Sequence, residues 1–151
     1  MSAEKEIVNY WYNKKGFFTV NNIKTGNNRD GGILALKLKD GKAEEVSHVE
    51  VSCSITGSIS ETTSLGKSVG RIVDEKFNDS GIRHFAPAFL AESKIKNIIV
   101  VGSIPKSRKG EIISEFAKRE VSVIEIEDVL YDVFEQLDTQ YYKNDILRAL
   151  Q

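Results

Sequence analysis

The stretch EVSHVEVSCSI, residues 45–55, decides the fold class of this 151-residue chain. Its apolar and polar side chains alternate, with Val49 and its alternate neighbours on one face and His48 and Glu50 on the other. A period of two predicts a β-strand with one face on the core and the other exposed or lining a polar cleft. On this pattern we interpret His48 as a surface residue and Cys53 as inert packing on the apolar face.

Segments on both sides of this strand complete an α/β pattern. The Asp40-Gly41 pair directly before it is typical of a hairpin turn, which predicts an antiparallel partner strand. The other periodic segments predict a helix at 3–14, strands at 17–20 and 33–38, a helix at 64–77, a strand at 97–101, a helix at 107–120, a strand at 121–126, and closing helices at 128–137 and 145–150.

The resulting element order is αβββαβαβ plus C-terminal helices. It predicts one α/β domain over residues 1–151, with a central mixed β-sheet flanked by helices. The last strand–helix–strand unit should be parallel, with a right-handed crossover. A chain of this length is ordinary for a single domain and can bury a sizeable core.

Composition excludes several classes of protein. Apolar residues make up 40% of the chain and charged residues 28%, which is ordinary for a globular domain. Cys53 is the single cysteine, so neither an internal disulfide nor a multi-cysteine zinc site is possible. No apolar run of membrane-spanning length and no signal peptide are present, which predicts a cytoplasmic protein without a membrane partner. The net charge of -1 argues mildly against a large nucleic-acid footprint.

The first 126 residues carry a pattern of motifs at characteristic places. EKEIV at residues 4–8 puts acids at the start of the first helix, and RDGGILAL at 29–36 has an acid opening an apolar strand. HVEVS at 48–52 follows on the next strand, and a later strand–helix–strand unit closes the pattern. In these motifs and in element order the chain resembles the PD-(D/E)XK nuclease superfamily, which includes restriction enzymes and Holliday-junction resolvases.

The resemblance implies a restriction-endonuclease-like fold and a metal-dependent endonuclease that hydrolyses phosphodiester bonds in DNA. Asp30 and Glu50 would bind Mg²⁺ or Mn²⁺, with Glu4 assisting from the first helix. Phosphodiester hydrolysis needs a metal ion to neutralise the phosphate and to activate water. Magnesium prefers hard oxygen ligands, often one or two carboxylates completed by water and phosphate.

One motif position departs from the family. Ser52 stands where the family has a lysine that positions or activates the attacking water, and a hydroxyl cannot supply that positive charge. Either another cation substitutes, with Lys67 on the next helix as the first candidate and Lys37 as the second, or catalysis is weakened or lost. In the latter case the chain is a catalytically inactive nuclease-like scaffold that binds nucleic acid or protein.

Each of these residues also has an ordinary structural interpretation. Asp30 lies among glycines and asparagines, where acids stabilise turns. Glu50 could face solvent on an exposed sheet surface, and Glu4 suits the positive end of the helix dipole. Lys67 lies opposite the apolar face of its helix, where a solvated side chain is the default. A third reading is therefore an interaction domain unrelated to nucleases.

The C-terminal region carries more aromatic and apolar residues than a core alone explains. Exposed aromatic patches often mark interfaces. Nucleases that cut both strands of a duplex commonly act as dimers, so we predict a homodimer through this region. Its residues are Tyr131, Phe134, Leu137, Tyr141, Tyr142, Ile146 and Leu150.

Overall fold

The computed structural model describes residues 2–21, 32–78, 82, 94–136 and 149–150. Asp30 therefore lies outside the described residues, as do most of the closing helix predicted at 145–150 and the tyrosines at 141 and 142. Within the described ranges, no helix combines the length and the apolar character needed to cross a membrane.

The chain begins with the predicted helix α1, Ala3–Lys14. Ser2 caps it, because the Ser2 hydroxyl oxygen accepts a hydrogen bond from the Lys5 backbone N–H at 3.2 Å. Gly16 follows the helix with a φ of 91°, a left-handed conformation that glycine adopts without strain. This turn leads the chain into the short strand β1, Phe18–Val20.

A hairpin forms the first half of the sheet. Strands β2, Ile33–Lys39, and β3, Lys42–Val51, are antiparallel, with Ile33 opposite Val49, and β1 pairs with the outer edge of β2. Asp40 and Gly41 both have positive φ angles, 53° and 77°, as a tight hairpin turn requires. The predicted turn and the antiparallel pairing are therefore confirmed.

The second half of the sheet is parallel. Strand β4, Lys96–Val101, pairs with β3 on one side and with β5, Val121–Glu125, on the other. Helix α4, Lys106–Ala117, connects β4 to β5. The five strands lie in the order β1-β2-β3-β4-β5, so the sheet is mixed, as predicted.

Helices cover both faces of this sheet. Helix α1 packs on one face together with the final helix α5, Ile126–Gln136, which follows β5 directly. The other face carries α4 and the helices between β3 and β4, around a core of Phe77, Ile99, Ile112 and Phe116. The molecule is thus an α/β protein with a five-stranded sheet between two helical layers.

The region after β3 differs from the prediction. The strand ends at Val51 rather than near residue 55, and a helix that was not predicted, α2, occupies Ile55–Glu61. Serine and apolar residues alternate only as far as Ile55, whereas Thr56 and Ile59 are three apart and both are buried. Burial of that helical face against α4 and the next helix, Leu65–Val73, decides the outcome, which local alternation could not reveal.

The predicted helix at 64–77 consists of two parts. Helix α3 spans Leu65–Val73, and a π-helical turn follows at Asp74–Asn78. This wider turn brings Phe77 into the core against β3, where it is fully buried. The change in helix type therefore lies beside the polar face of β3.

Candidate functional site

Glu50 is a buried carboxylate near the carboxyl end of β3. It lies opposite Ile99 of β4 in the parallel pair, and the residue is only 8% exposed. Its Oε2 lies 3.0 Å from the Nε2 of His48, two residues earlier on the same strand face. A buried carboxylate needs such a partner, because an unpaired one is strongly destabilising in an apolar environment.

His48 is the partner that holds Glu50 in place. Its side chain is completely buried, so the interpretation of His48 as a surface residue is wrong. The helical layer over this face explains the error, since Phe77 packs edge-on against the imidazole with 4.8 Å between ring centroids. The other ring nitrogen, Nδ1, has no hydrogen-bond partner among the described residues.

Gly32 leaves space for the Glu50 carboxylate because it has no side chain. A Cβ placed on Gly32 would lie 1.8 Å from Glu50 Oε2 and 2.2 Å from the carbonyl oxygen of Val49. No side chain fits at those distances, so the backbone before β2 passes directly against the carboxylate. Gly32 is the last residue of the RDGG motif, and the other three, Asp30 among them, lie outside the described residues.

The first turn of α1 lies near the same end of β3. Glu4 is half-buried there, and its charge contributes to the raised pKa of the Cys53 thiol, which is about 11. Burial of the thiol is the larger cause of this shift and the Glu4 carboxylate the smaller. Cys53 lies in the turn after β3 and is half-buried, so it is not part of an apolar strand face as expected.

Lys5 is a buried residue that the sequence analysis did not single out. It is 7% exposed and it has an interaction partner. Helical spacing could have found it, because Lys5 lies three residues before Val8 and seven before Tyr12, both of which face the core. A buried lysine beside Glu4 adds a positive charge near this end of α1.

The structure does not bring the predicted substitute lysines to Glu50. Lys67 is exposed on α3, and Lys37 lies opposite Glu45, about 17 Å along the hairpin from Gly32. Within the described part of the chain, the Glu50 carboxylate contacts the His48 imidazole and pairs with no lysine. Ser52 directly follows β3, and its backbone N–H continues the ladder to Val100 at 2.8 Å.

Three basic residues, Lys106, Arg108 and Lys109, lie in the first turn of α4. Two of them have structural partners. Arg108 donates to the carbonyl oxygens of Ser60 and Thr62, and Lys109 pairs with Glu125. The pair lowers the pKa of the Glu125 carboxyl and raises that of the Lys109 ammonium, mainly through their hydrogen bond. Lys106 is exposed.

The fit of a metal ion to this site depends on more than one segment. No group of three or more His, Cys, Asp or Glu side chains capable of holding a metal ion occurs among the described residues. Glu50 offers a buried carboxylate oxygen, and oxygen is the donor that Mg²⁺ and Mn²⁺ prefer. Among the described residues Glu50 is thus a single candidate ligand, and helix α1, which carries Glu4, packs on the other face of the sheet.

Comparisons with protein-family models, with curated proteins and with solved structures gave no match. The function of the chain is therefore proposed from its own residues.

Proposed function

We propose that this chain is a metal-dependent DNA endonuclease of the PD-(D/E)XK type, which hydrolyses phosphodiester bonds. The observation that carries the proposal is the buried Glu50 carboxylate, tied to His48 and seated against Gly32. Glutamate is disfavoured in strands, and burial adds to that cost. A carboxylate that is buried near the end of β3 in spite of this cost is a candidate for a functional residue.

The element order supports the proposal. A helix and a three-stranded antiparallel unit precede a parallel strand–helix–strand unit, as the resemblance requires. Gly32 belongs to the RDGG motif and Glu50 to the HVEVS motif, and the two residues are in contact. The two segments that resemble nuclease motifs in sequence are therefore in contact at Gly32 and Glu50. Helix α2 is an addition to the expected order.

Each residue of the proposed site would have a distinct role. Glu50 and Asp30 would hold the metal ion, with Glu4 assisting. The ion would neutralise the scissile phosphate and lower the pKa of a water molecule. His48 would orient the Glu50 carboxylate, because a hydrogen-bonded ligand keeps a fixed geometry.

A second candidate function is a catalytically inactive scaffold that binds nucleic acid or protein. Ser52 in the lysine position favours it, as does the lack of a lysine paired with Glu50 among the described residues. Lys67 and the buried Lys5 are candidates for a cation that acts from another element. Cleavage assays on Lys5→Met and Lys67→Met would show which of them, if either, supplies the missing charge.

The first test is nicking of supercoiled plasmid and cleavage of a branched DNA with Mg²⁺ or Mn²⁺. We expect Glu50→Gln to lower the cleavage rate by about 100-fold or more, because it removes a metal ligand. Glu45→Gln is the matched control, since Glu45 lies on the same strand in an exposed pair with Lys96. Equal cleavage by the wild type and folded Glu50→Gln would remove Glu50 from the site.

A complementary variant, Ser52→Lys, restores the residue that the family has at this position. We expect it to raise metal-dependent cleavage above the wild-type rate if the serine is what limits catalysis. Cleavage by neither protein on either DNA, with both folded by circular dichroism, would contradict the endonuclease and favour the inactive scaffold. Binding of the same DNAs, measured by fluorescence anisotropy, would then test that second function.

A further inference from the structure

The π-helical turn, Asp74–Asn78, continues helix α3 directly and packs against β3. Turns of this kind are rare, and they occur frequently at functional sites. The side chains at its two ends are joined, because the Asn78 amide donates a hydrogen bond to the Asp74 carboxylate at 2.7 Å. The turn therefore lies, with its ends tied together, beside the strand that carries His48 and Glu50.

The spacing of the buried residues explains what the wider turn does. Leu65, Val69, Val73 and Phe77 are all buried, and they lie four residues apart. Four residues of an α-helix rotate by about 400°, so three such steps would carry Phe77 about 120° away from the direction of Leu65. A π-helical turn has i→i+5 hydrogen bonds and more residues per turn, which reduces this rotation. The turn thus directs Phe77 back toward the sheet.

Phe77 packs directly on the pair of His48 and Glu50. Its ring meets the His48 imidazole edge-on, with 4.8 Å between the ring centroids, and both side chains are fully buried. An ionised carboxylate only accepts hydrogen bonds, so the Nε2 of His48 carries the proton that is directed at Glu50. The other ring nitrogen, Nδ1, has no such bond within the described chain. The contact with Phe77 is therefore a second restraint on the imidazole, beside its bond to Glu50.

We propose that Phe77, directed by the π-helical turn, is a positioning residue of the Glu50 site. It holds the imidazole so that the Nε2–H of His48 stays directed at the Glu50 carboxylate. It also keeps water from their hydrogen bond, which is stronger in a low dielectric. An imidazole without this support can rotate about its Cβ–Cγ bond and release the carboxylate. The effect on cleavage rests on the proposed endonuclease, whereas the effect on the His48 ring does not.

The first test is NMR of the full chain labelled with nitrogen-15, near pH 8. The chemical shifts of the two ring nitrogens report which of them carries the proton. The chain has two histidines, so His84→Gln identifies the signals of His48. We expect one Nε2–H form and nuclear Overhauser contacts between the rings of Phe77 and His48. A proton on Nδ1, or rings without these contacts, would overturn the proposal in the unmutated site.

Phe77→Leu removes the ring and retains most of the apolar volume. We expect a mixture of both His48 tautomers and metal-dependent cleavage about tenfold slower, as for other residues that orient a metal ligand. Phe116→Leu is the matched control, because Phe116 is fully buried on α4 in the same core cluster as Phe77. The control should lose similar stability and leave the His48 signals unchanged.

The two measurements separate the positioning role from the endonuclease. A wild-type His48 spectrum in folded Phe77→Leu, or in Phe77→Met if the leucine variant does not fold, would overturn the positioning role at any cleavage rate. Equal changes in Phe77→Leu and Phe116→Leu would overturn it too, because a loosened core would explain both. A spectrum that changes in Phe77→Leu alone, in a protein that cleaves no DNA, would support the positioning role and contradict the endonuclease.

Discussion

At the scale of single residues, the contact between Gly32 and Glu50 is the most constrained feature of the described chain. A methyl group on Gly32 cannot fit beside a carboxylate oxygen at 1.8 Å and a carbonyl oxygen at 2.2 Å. The glycine is required by this close approach and not by its backbone angles. The Glu50 carboxylate can therefore keep its position only if residue 32, the last of the RDGG motif, is a glycine.

Gly32→Ala should lower the free energy of unfolding by about 1–3 kcal/mol or more, the usual cost of overpacking. Urea denaturation would measure it. Gly110→Ala is the matched control, because Gly110 lies within α4 with nothing within 4 Å of an added Cβ. That change should raise stability by about 1 kcal/mol, the difference in helix propensity. A neutral Gly32→Ala would mean that Glu50 does not lie against the backbone of Gly32.

The reactivity of the Cys53 thiol depends in part on the charge of the Glu4 carboxylate. Burial and the Glu4 charge raise the pKa of the Cys53 thiol from its ordinary 9.0 to about 11, which lowers the thiolate fraction near pH 8 by about 100-fold. Alkylation by iodoacetamide should therefore be slow near neutrality and should speed up until the pH reaches about 11. The thiolate is the reacting form, so a higher pKa means a lower rate below it.

Glu4→Gln should increase the Cys53 alkylation rate near pH 8, because it removes a negative charge that disfavours the thiolate. Added salt should shrink the difference between the variant and the wild type. Glu6→Gln is the control, since Glu6 is exposed on the same turn and does not contribute to the pKa of Cys53. Identical rates in Glu4→Gln and the wild type would place Glu4 away from the end of β3.

At the scale of elements, Arg108 holds two helices together. Its guanidinium, at the start of α4, donates to the carbonyl oxygens of Ser60 and Thr62 at the end of α2, at 3.1 and 2.7 Å. Carbonyl groups at a helix end lack partners within the helix, so a side chain that satisfies them stabilises the end. The unexpected helix α2 is thus fixed by an arginine 46 residues away from Thr62.

Arg108→Ala should lower the free energy of unfolding by about 1–3 kcal/mol, because it removes charged donors from two carbonyl groups. Lys106→Ala, two residues earlier and exposed, should change it by less than about 0.5 kcal/mol. Thermal and urea denaturation of the two variants would measure the difference. A loss of equal size in both would show that charge at the start of α4, and not the Arg108 bonds, is what stabilises the fold.

At the scale of the whole molecule, the candidate site lies on the central strand of the sheet and not on an edge strand. Glu50 lies near the end of β3, with β2 on one side and β4 on the other. Its position therefore depends on both the antiparallel and the parallel half of the sheet.

The sequence by itself determined the class of fold. Helix α1, the hairpin around Asp40-Gly41 and the parallel β4–α4–β5 unit follow from periodicity and turn chemistry, and the structure has each of them. These signals are local, because a helix period or a turn residue acts within a few positions along the chain. The alternation also singled out Glu50 as a candidate, because glutamate is disfavoured in strands.

Only the tertiary structure decided what surrounds Glu50. Alternation placed His48 and Glu50 on one face but could not show that a π-helical turn buries that face under Phe77. It could not show that Gly32 touches the carboxylate or that residues 55–61 turn into a helix. The physical reason is that burial belongs to packing between distant elements. The same strand pattern suits an exposed polar face and a covered polar site, and only the covering helices distinguish them.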